Sequence, residues 1–270
     1  MDPGTLALAT AISLQTPATE AIPAADPFRL ELAIDLWMPR LEGDFTDAGA
    51  QIDVRDVDLH ETEAVFAGAL TLKRDRVQVE LRGFSFATEG SSVATDAFTL
   101  GTVTVGTGDA FDSSLSWWSA GAEVSYEASR PQWSATNGTN LSLFLLASLD
   151  VQSMSRDITD LTTAETTTAD EAFVVAEIGG GFRLAFDTKS GFPLFRRAAV
   201  SGKAAVGASI PMSDGDFGGA SRIEARFSGW ITESAAVYIG YRLVGVSLSG
   251  EEMEMTGSLQ GLCAGFRYEF

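Results

Sequence analysis

Leu262-Cys263-Ala264-Gly265-Phe266-Arg267-Tyr268-Glu269-Phe270 closes the chain, and its alternation sets the reading of the whole. As an extended strand it places Leu262, Ala264, Phe266, Tyr268 and Phe270 on one face and Arg267 and Glu269 on the other. A soluble domain seldom ends an amphipathic strand on an exposed Phe.

Working outward, the same period-two pattern recurs nine times. Phe28, Leu30, Leu32, Ile34, Leu36 and Met38 share a face against Arg29, Glu31 and Asp35. Ala64 to Leu72 supplies the next face. After a tight turn at Arg74-Asp75, Val77, Val79 and Leu81 oppose Arg76, Gln78, Glu80 and Arg82. Alternating faces follow over 118–126 (with Glu123 opposed), 141–151, 174–186 (Glu177 and Arg183 opposed) and 198–210 (Arg197 and Lys203 opposed). Two more lie at 223–231 (Arg222, Glu224 and Arg226 opposed) and 237–243 (Arg242 opposed). Each can supply the ~9–11 residues of a tilted membrane-crossing strand. Ten is even, which puts both chain ends on one side; residues 94–105 also alternate, and eight or twelve are the neighbouring counts. No apolar run approaches the ~18–20 residues of a membrane helix. A membrane protein without one must close its strands on themselves, because lipid leaves no partner for an open edge. The expected fold is therefore all-β: a closed antiparallel transmembrane barrel over residues 28–270. Residues 1–27 precede it as a signal-like or disordered leader; Thr5–Leu14 reads as an apolar core, though no Lys or Arg comes before it.

The connections alternate in length. Long ones are expected at about 42–62, 87–112, 153–171, 211–220 and 248–256, and mostly shorter ones at about 73–75, 128–138, 187–194 and 232–235. The formal charge of −19 falls entirely on the long set, with 21 acidic and 2 basic residues against 16 of each elsewhere. Such a balance excludes nucleic acid as a partner and speaks against a basic patch on anionic lipid. It gives one face of the barrel an acidic surface.

The closing segment resembles the last strand of bacterial outer-membrane β-barrels, which ends on aromatics recognised by the barrel-assembly machinery. Gly265, Phe266, Tyr268 and Phe270 carry the likeness; Cys263 stands where a polar residue is usual. Leu36-Trp37-Met38-Pro39-Arg40 and the acidic stretch Ile52–Glu63 also resemble a family of uncharacterised outer-membrane β-barrel proteins of Gram-negative bacteria. In that family a first strand ending LWLPR precedes an acidic loop; here the loop lacks the usual Gly and one Asp. The resemblance covers roughly residues 30–90. It implies a barrel and residence in the cell outer membrane, and brings no established activity.

With the apolar faces toward lipid, the lumen holds Arg29, Arg76, Arg82, Arg183, Arg197, Lys203, Arg222, Arg226, Arg242 and Arg267. It also holds Glu31, Asp35, Glu80, Glu123, Glu177, Glu224 and Glu269. Each buried charge needs a partner or water, so a plugged or water-threaded interior is expected ahead of an open pore. If it conducts, the excess of Arg favours anions and the acidic loops oppose them.

Asp53, Asp56 and Asp58 are the candidates for weak Ca²⁺ or Mg²⁺ binding, although no Gly turns the chain between them. The single His, His60, sits in the same acidic loop and reads as solvated rather than catalytic, and no Ser stands in a nucleophile motif. Cys263 is alone and reads as packed. Gly179-Gly180-Gly181 has no Lys-Ser/Thr after it and reads as close packing, not a phosphate loop. Trp118, Tyr126, Tyr241, Tyr268 and Phe270 are placed for interfacial girdles. The expected protein is non-enzymatic and needs no cofactor: a narrow channel or a structural, surface-binding barrel touching lipid, lipopolysaccharide and divalent cations. The rivals are a barrel holding a small hydrophobic or anionic ligand in its lumen, an outer-membrane enzyme, and a soluble lipocalin-like or sandwich protein with every parity reversed.

Overall fold

The computed structural model describes residues 28–47, 50–129, 139–187, 194–251 and 253–270. The leader 1–27 and most of the connections at 128–138 and 187–194 lie outside the described residues. The strands are β1 (Arg29–Asp47), β2 (Ala50–Asp53), β3 (Val65–Arg74), β4 (Val77–Val93), β5 (Phe98–Leu100), β6 (Val103–Val105) and β7 (Ala110–Ser129). They continue with β8 (Asn140–Asp160), β9 (Glu165–Asp187), β10 (Arg197–Pro211), β11 (Gly215–Asp216), β12 (Gly218–Trp230), β13 (Ala235–Gly250) and β14 (Glu254–Glu269).

Ten of these form the wall, in the order β1-β3-β4-β7-β8-β9-β10-β12-β13-β14, and β14 returns to β1. Every pairing is antiparallel. Closure runs from Glu31 opposite Glu269 to Thr46 opposite Glu254, so β1 and β14 leave no free edge along this seam. Two further bonds fasten the closing strand: the Phe270 N–H donates to the Leu30 carbonyl and the Glu269 N–H to the Ser234 carbonyl, both at 2.8 Å. Both described ends of the chain, together with the turns at Arg74–Val77 and Ile231–Ala235, lie at one end of the barrel, called here the terminal end. The stretch 94–105 is not wall: β5 and β6 pair only with each other.

The wall has two storeys. In the terminal storey the outward face is apolar: Leu30, Leu32, Ile34, Leu36 and Met38 of β1 are exposed, as are Leu143, Leu145, Leu149 and Val151 of β8. The inward face carries the charges. Eleven residues from Leu141 to Val151, tilted by ~45°, rise roughly 25 Å, the height of the apolar band of an outer-membrane barrel. All five girdle aromatics are exposed. Tyr126, Tyr268 and Phe270 stand at the terminal border of the band. Trp118 and Tyr241 stand at the other, where the Tyr241 hydroxyl reaches Gln260 at 2.9 Å.

Beyond that border the strands continue and the polarity of the two faces exchanges. Outside, Met38 gives way to Arg40, Glu42 and Asp44; across the seam Leu262 gives way to Gln260, Ser258 and Thr256. On β8, Val151 gives way to Ser153, Ser155 and Asp157. Inside, Leu41, Phe45, Met154, Ile158, Met255 and Leu259 are wholly buried. The expected long loops are corrected accordingly. Residues 153–171 are almost entirely wall, turning at 161–164, and most of 42–47 and 87–93 is wall too. Period-two geometry persists while the two faces change, from apolar outside and charged inside to polar outside and a packed, mainly apolar core inside. The soluble rival's inward-facing apolar parity is thus realised, but only in the distal storey.

Segments from two connections fill this core. Ile52, Val54, Val57 and Leu59 enter from the β1–β3 connection, and Leu100, Val103 and Val105 from the β5–β6 hairpin. The Val54 N–H donates to the Gly43 carbonyl at 3.0 Å, and the Ser113 hydroxyl donates to the Val57 carbonyl, tying the first segment to the wall. At the distal tip Asp160 accepts from the Thr162 N–H at 2.7 Å and the Thr163 hydroxyl at 3.0 Å. These bonds, Thr162's first, hold its carboxyl below the usual range.

Leu145→Arg, in the middle of the apolar band, should destabilise the folded barrel by ~2–4 kcal/mol in a bilayer. Ser155→Arg, on the same outward parity one storey up, should stay within ~0.5 kcal/mol of the parent; urea unfolding in liposomes measures both. Stabilisation by Asp160 is present above the ordinary carboxylate pKa of ~3.9 and is lost as pH falls through its depressed value. Asp160→Asn should therefore speed amide exchange at Thr162 at neutral pH and cease to differ from the parent in acid.

Candidate functional site

The inward face of the terminal storey holds a charge network, and Glu123 is its centre. Its carboxylate is 1% exposed and meets three cations: Arg82 Nη1 at 2.6 Å, Arg222 Nη2 at 2.7 Å and Lys203 Nζ at 2.8 Å. Arg82 also forks onto Asp150, at 2.7 Å and 3.2 Å. Arg222 Nε lies 3.2 Å from Glu177, which accepts from the Ser148 hydroxyl at 3.1 Å. Lys203 lies 3.6 Å from Glu80. A second arm joins Arg242 to Asp35 at 2.6 Å and to Glu224 at 3.7 Å, and Glu224 also pairs with Arg226.

These side chains come from eight of the ten wall strands: β1, β4, β7, β8, β9, β10, β12 and β13. Six carboxylates meet five cations, so the layer is near neutral. Gly121 leaves room for it, since a Cβ there would run into the Asp150 carboxylate and the Leu149 carbonyl. The Gly179–Gly181 stretch serves packing as expected: a Cβ on Gly181 would meet the Phe144 ring and the Gly202 carbonyl.

An aromatic layer lies on the distal side of this network. The Trp37 and Phe84 rings meet edge-on at 5.3 Å, and Phe84 meets Trp117 at 6.2 Å. Arg242 sits over Trp37 at 5.2 Å, and Trp117 Nε1 donates to Gln152 at 2.8 Å. A small cavity of ≈ 60 Å³ lies between the charged and aromatic layers. On the terminal side the lumen widens into a cavity of ≈ 510 Å³. Arg267 pairs with Glu31 at 3.0 Å there, and Arg29 with Glu269 at 3.3 Å. Arg183 and Arg197 line it beside Trp230, as does Arg76.

Every charge expected in the lumen is therefore on the inner face, sorted by depth: Asp35, Glu80, Arg82, Glu123, Glu177, Lys203, Arg222, Glu224, Arg226 and Arg242 interlock. Arg29, Glu31, Arg76, Arg183, Arg197, Arg267 and Glu269 line the open mouth. Asp150 and Trp230 are additions to that set. Asp150 was legible as the one acid opposing the apolar face of 141–151. Trp230 lies between Gly229 and Ile231 at a strand end, where parity is hardest to read.

Asp53, Asp56 and Asp58 are not gathered into a site. Val54 and Val57 point into the core between them, Asp53 accepts from the Arg55 N–H at 2.8 Å, and Asp58 lies 3.9 Å from His60. Among the described residues no group of three His, Cys, Asp or Glu is placed to hold a metal ion. Arg55 binds Glu42 at 2.7 Å, and this bond holds its guanidinium above the usual range. Cys263 is buried against the distal core.

No protein family matches the chain, and no curated protein is detectably similar to it. Solved structures of similar shape include Ail, the attachment invasion locus protein of Yersinia pestis, at 10% identity, covering 89% of this chain and 99% of that one with a TM-score of 0.31. The P. putida toluene transporter TodX matches at 10% identity, 91% and 90% coverage and 0.30. An outer-membrane channel of Pseudomonas putida F1 matches at 11%, 95% and 98%, and 0.31. Likeness this distant carries nothing about what the lumen does.

Removing one partner from a buried ion pair typically costs ~3–5 kcal/mol, because the other charge stays behind. Glu123→Gln leaves three cations short of one carboxylate. It should lower folded stability by about that amount, read from the urea midpoint of the refolded barrel, whereas Glu233→Gln at the exposed Arg196–Glu233 pair should leave the midpoint unmoved.

Proposed function

We propose that this chain is an integral outer-membrane barrel, non-enzymatic, whose lumen is closed. The observation that carries this is the stacking of three filled layers across the bore. A charge network reaching eight wall strands, an aromatic layer and a core threaded by two connections leave ≈ 60 Å³ between the first two. An ion crossing would have to part buried ion pairs and then enter a closely filled, mainly apolar core, each step costing several kcal/mol. Of the roles expected from sequence, the structural or surface-binding barrel fits better than the narrow channel.

Placement in the outer membrane rests on the apolar band, its bordering aromatics and the closure of β14 onto β1. The ending Gly265-Phe266-Arg267-Tyr268-Glu269-Phe270 supports delivery by the barrel-assembly machinery. The distal storey then stands outside the cell. Its acidic wall, including Glu42, Asp44, Asp157 and Glu254, collects divalent cations as an atmosphere near lipopolysaccharide rather than at one chelating site. The non-enzymatic reading rests on His60 lying in the distal β2–β3 connection, a storey away from the Glu123 charge network.

Reconstituted into planar bilayers, the purified protein should add no resolved conductance steps. A steady ohmic pore would overturn the closed-lumen reading. Folding is checked on the same sample by the change in SDS mobility on boiling, and a detergent-free soluble protein lacking that change would overturn the membrane reading.

A further inference from the structure

The terminal cavity differs from the charge network in one respect: its cations outnumber its carboxylates. Its lining carries eight Lys and Arg against five Glu. In the network each cation touches a carboxylate. At the mouth, Glu31 is engaged by Arg267 and Glu269 by Arg29. Among the described residues no carboxylate lies within ion-pair distance of Arg183 or Arg197. The nearest in sequence register is Asp187, opposite Arg197 across the β9–β10 pairing and exposed at the rim.

Both guanidinium groups are instead held against one ring. Arg197 lies 4.2 Å and Arg183 5.1 Å from the centroid of Trp230, itself 3% exposed. The Nε of Arg197 is buried without a hydrogen-bond acceptor. A tryptophan face attracts a cation by only ~0.5–2 kcal/mol. It fixes the two groups in place without neutralising them. Two like charges held at a low-dielectric wall, with donors still open, form a prearranged place for an anion.

We propose that this cavity binds a small oxyanion, a phosphate- or carboxylate-bearing solute, on Arg183 and Arg197, with Trp230 as the platform that sets their spacing. Planar Arg forks suit carboxylate and phosphoryl oxygens. A volume of ≈ 510 Å³ falls in the range of small-molecule sites and admits a solute of a few dozen atoms at most. The proposal rests on the closed-lumen reading, which makes the cavity a one-ended pocket and not a stretch of pore.

The test titrates the folded barrel in detergent with inorganic pyrophosphate, with succinate, and with chloride at matched ionic strength. Tryptophan fluorescence and calorimetry are the readouts. At least one oxyanion should give a saturable signal that chloride does not, and the stronger of the two identifies phosphoryl or carboxylate as the preferred group. The R183Q/R197Q double variant should bind at least tenfold more weakly, and Arg55→Gln in the distal storey should bind as the parent does. If the double variant fails to fold, the parent's melting temperature decides: it should rise saturably with the oxyanion and not with chloride. An equal response to all three salts, or unchanged affinity in a folded double variant, would overturn the proposal. The closed-lumen reading fails separately: a barrel that conducts and binds contradicts only that reading, and a closed barrel that binds nothing contradicts only this one.

Discussion

A closed strand wall must keep its hydrogen bonds over its whole length, so only its side chains can respond to a change of surroundings. That constraint organises this molecule. The β1–β14 seam pairs continuously from Glu31 to Thr46, through the level at which Met38 is followed outside by Arg40 and Trp37 is followed inside by Leu41. Along this seam the register is unbroken, while on the other side of β1 the β3 ladder ends at Trp37 opposite Val65. What changes is which face is dry.

The interior follows from the same constraint. Where the outside is apolar, the inside has to carry the chain's charges. Six carboxylates and five cations within one narrow bore are tolerable only as a mutually satisfying set. Isolated buried ion pairs contribute little net stability, because desolvation offsets attraction. The value of the network lies in register: Glu123 can reach Arg82, Lys203 and Arg222 together only if β4, β7, β10 and β12 are correctly staggered. A slip of one residue would turn these charges onto the apolar band. Above, the core formed by Trp37, Phe84, Trp117 and the entering segments seals the bore mainly with apolar side chains, with Arg156 held over the Phe45 ring at 4.9 Å.

The sequence disclosed the terminal storey well and the distal storey poorly, for a physical reason. Phe28 to Met38 and Leu141 to Val151 keep apolar residues on one parity, and the opposed Arg and Glu positions then fall inside. Beyond residue 40 the apolar parity switches, so Leu41 and Phe45 look like stray hydrophobics among Glu42, Asp44 and Asp47. The same switch gives 153–171 the look of an acidic loop, although Met154, Ile158 and Ala169 line the core. The acidic charge of the long connections stands at the distal end. It sits largely on the outside of a wall and on the connections that plug it. The depth sorting of the lumen was not legible, because alternation gives a residue's face and not its partner: Arg82 and Arg183 look alike in sequence, yet one is forked onto Asp150 and the other lies on Trp230.

The exchange of faces along one strand is most directly tested by spin labels placed singly along β8 of the barrel in liposomes. Outward positions 143 to 151 should be accessible to oxygen dissolved in lipid, outward positions 153 to 159 to a water-soluble nickel reagent, and inward positions 154 and 158 to neither. Lipid-type accessibility continuing through 153 to 159, or appearing at inward positions 146 to 150, would contradict the account.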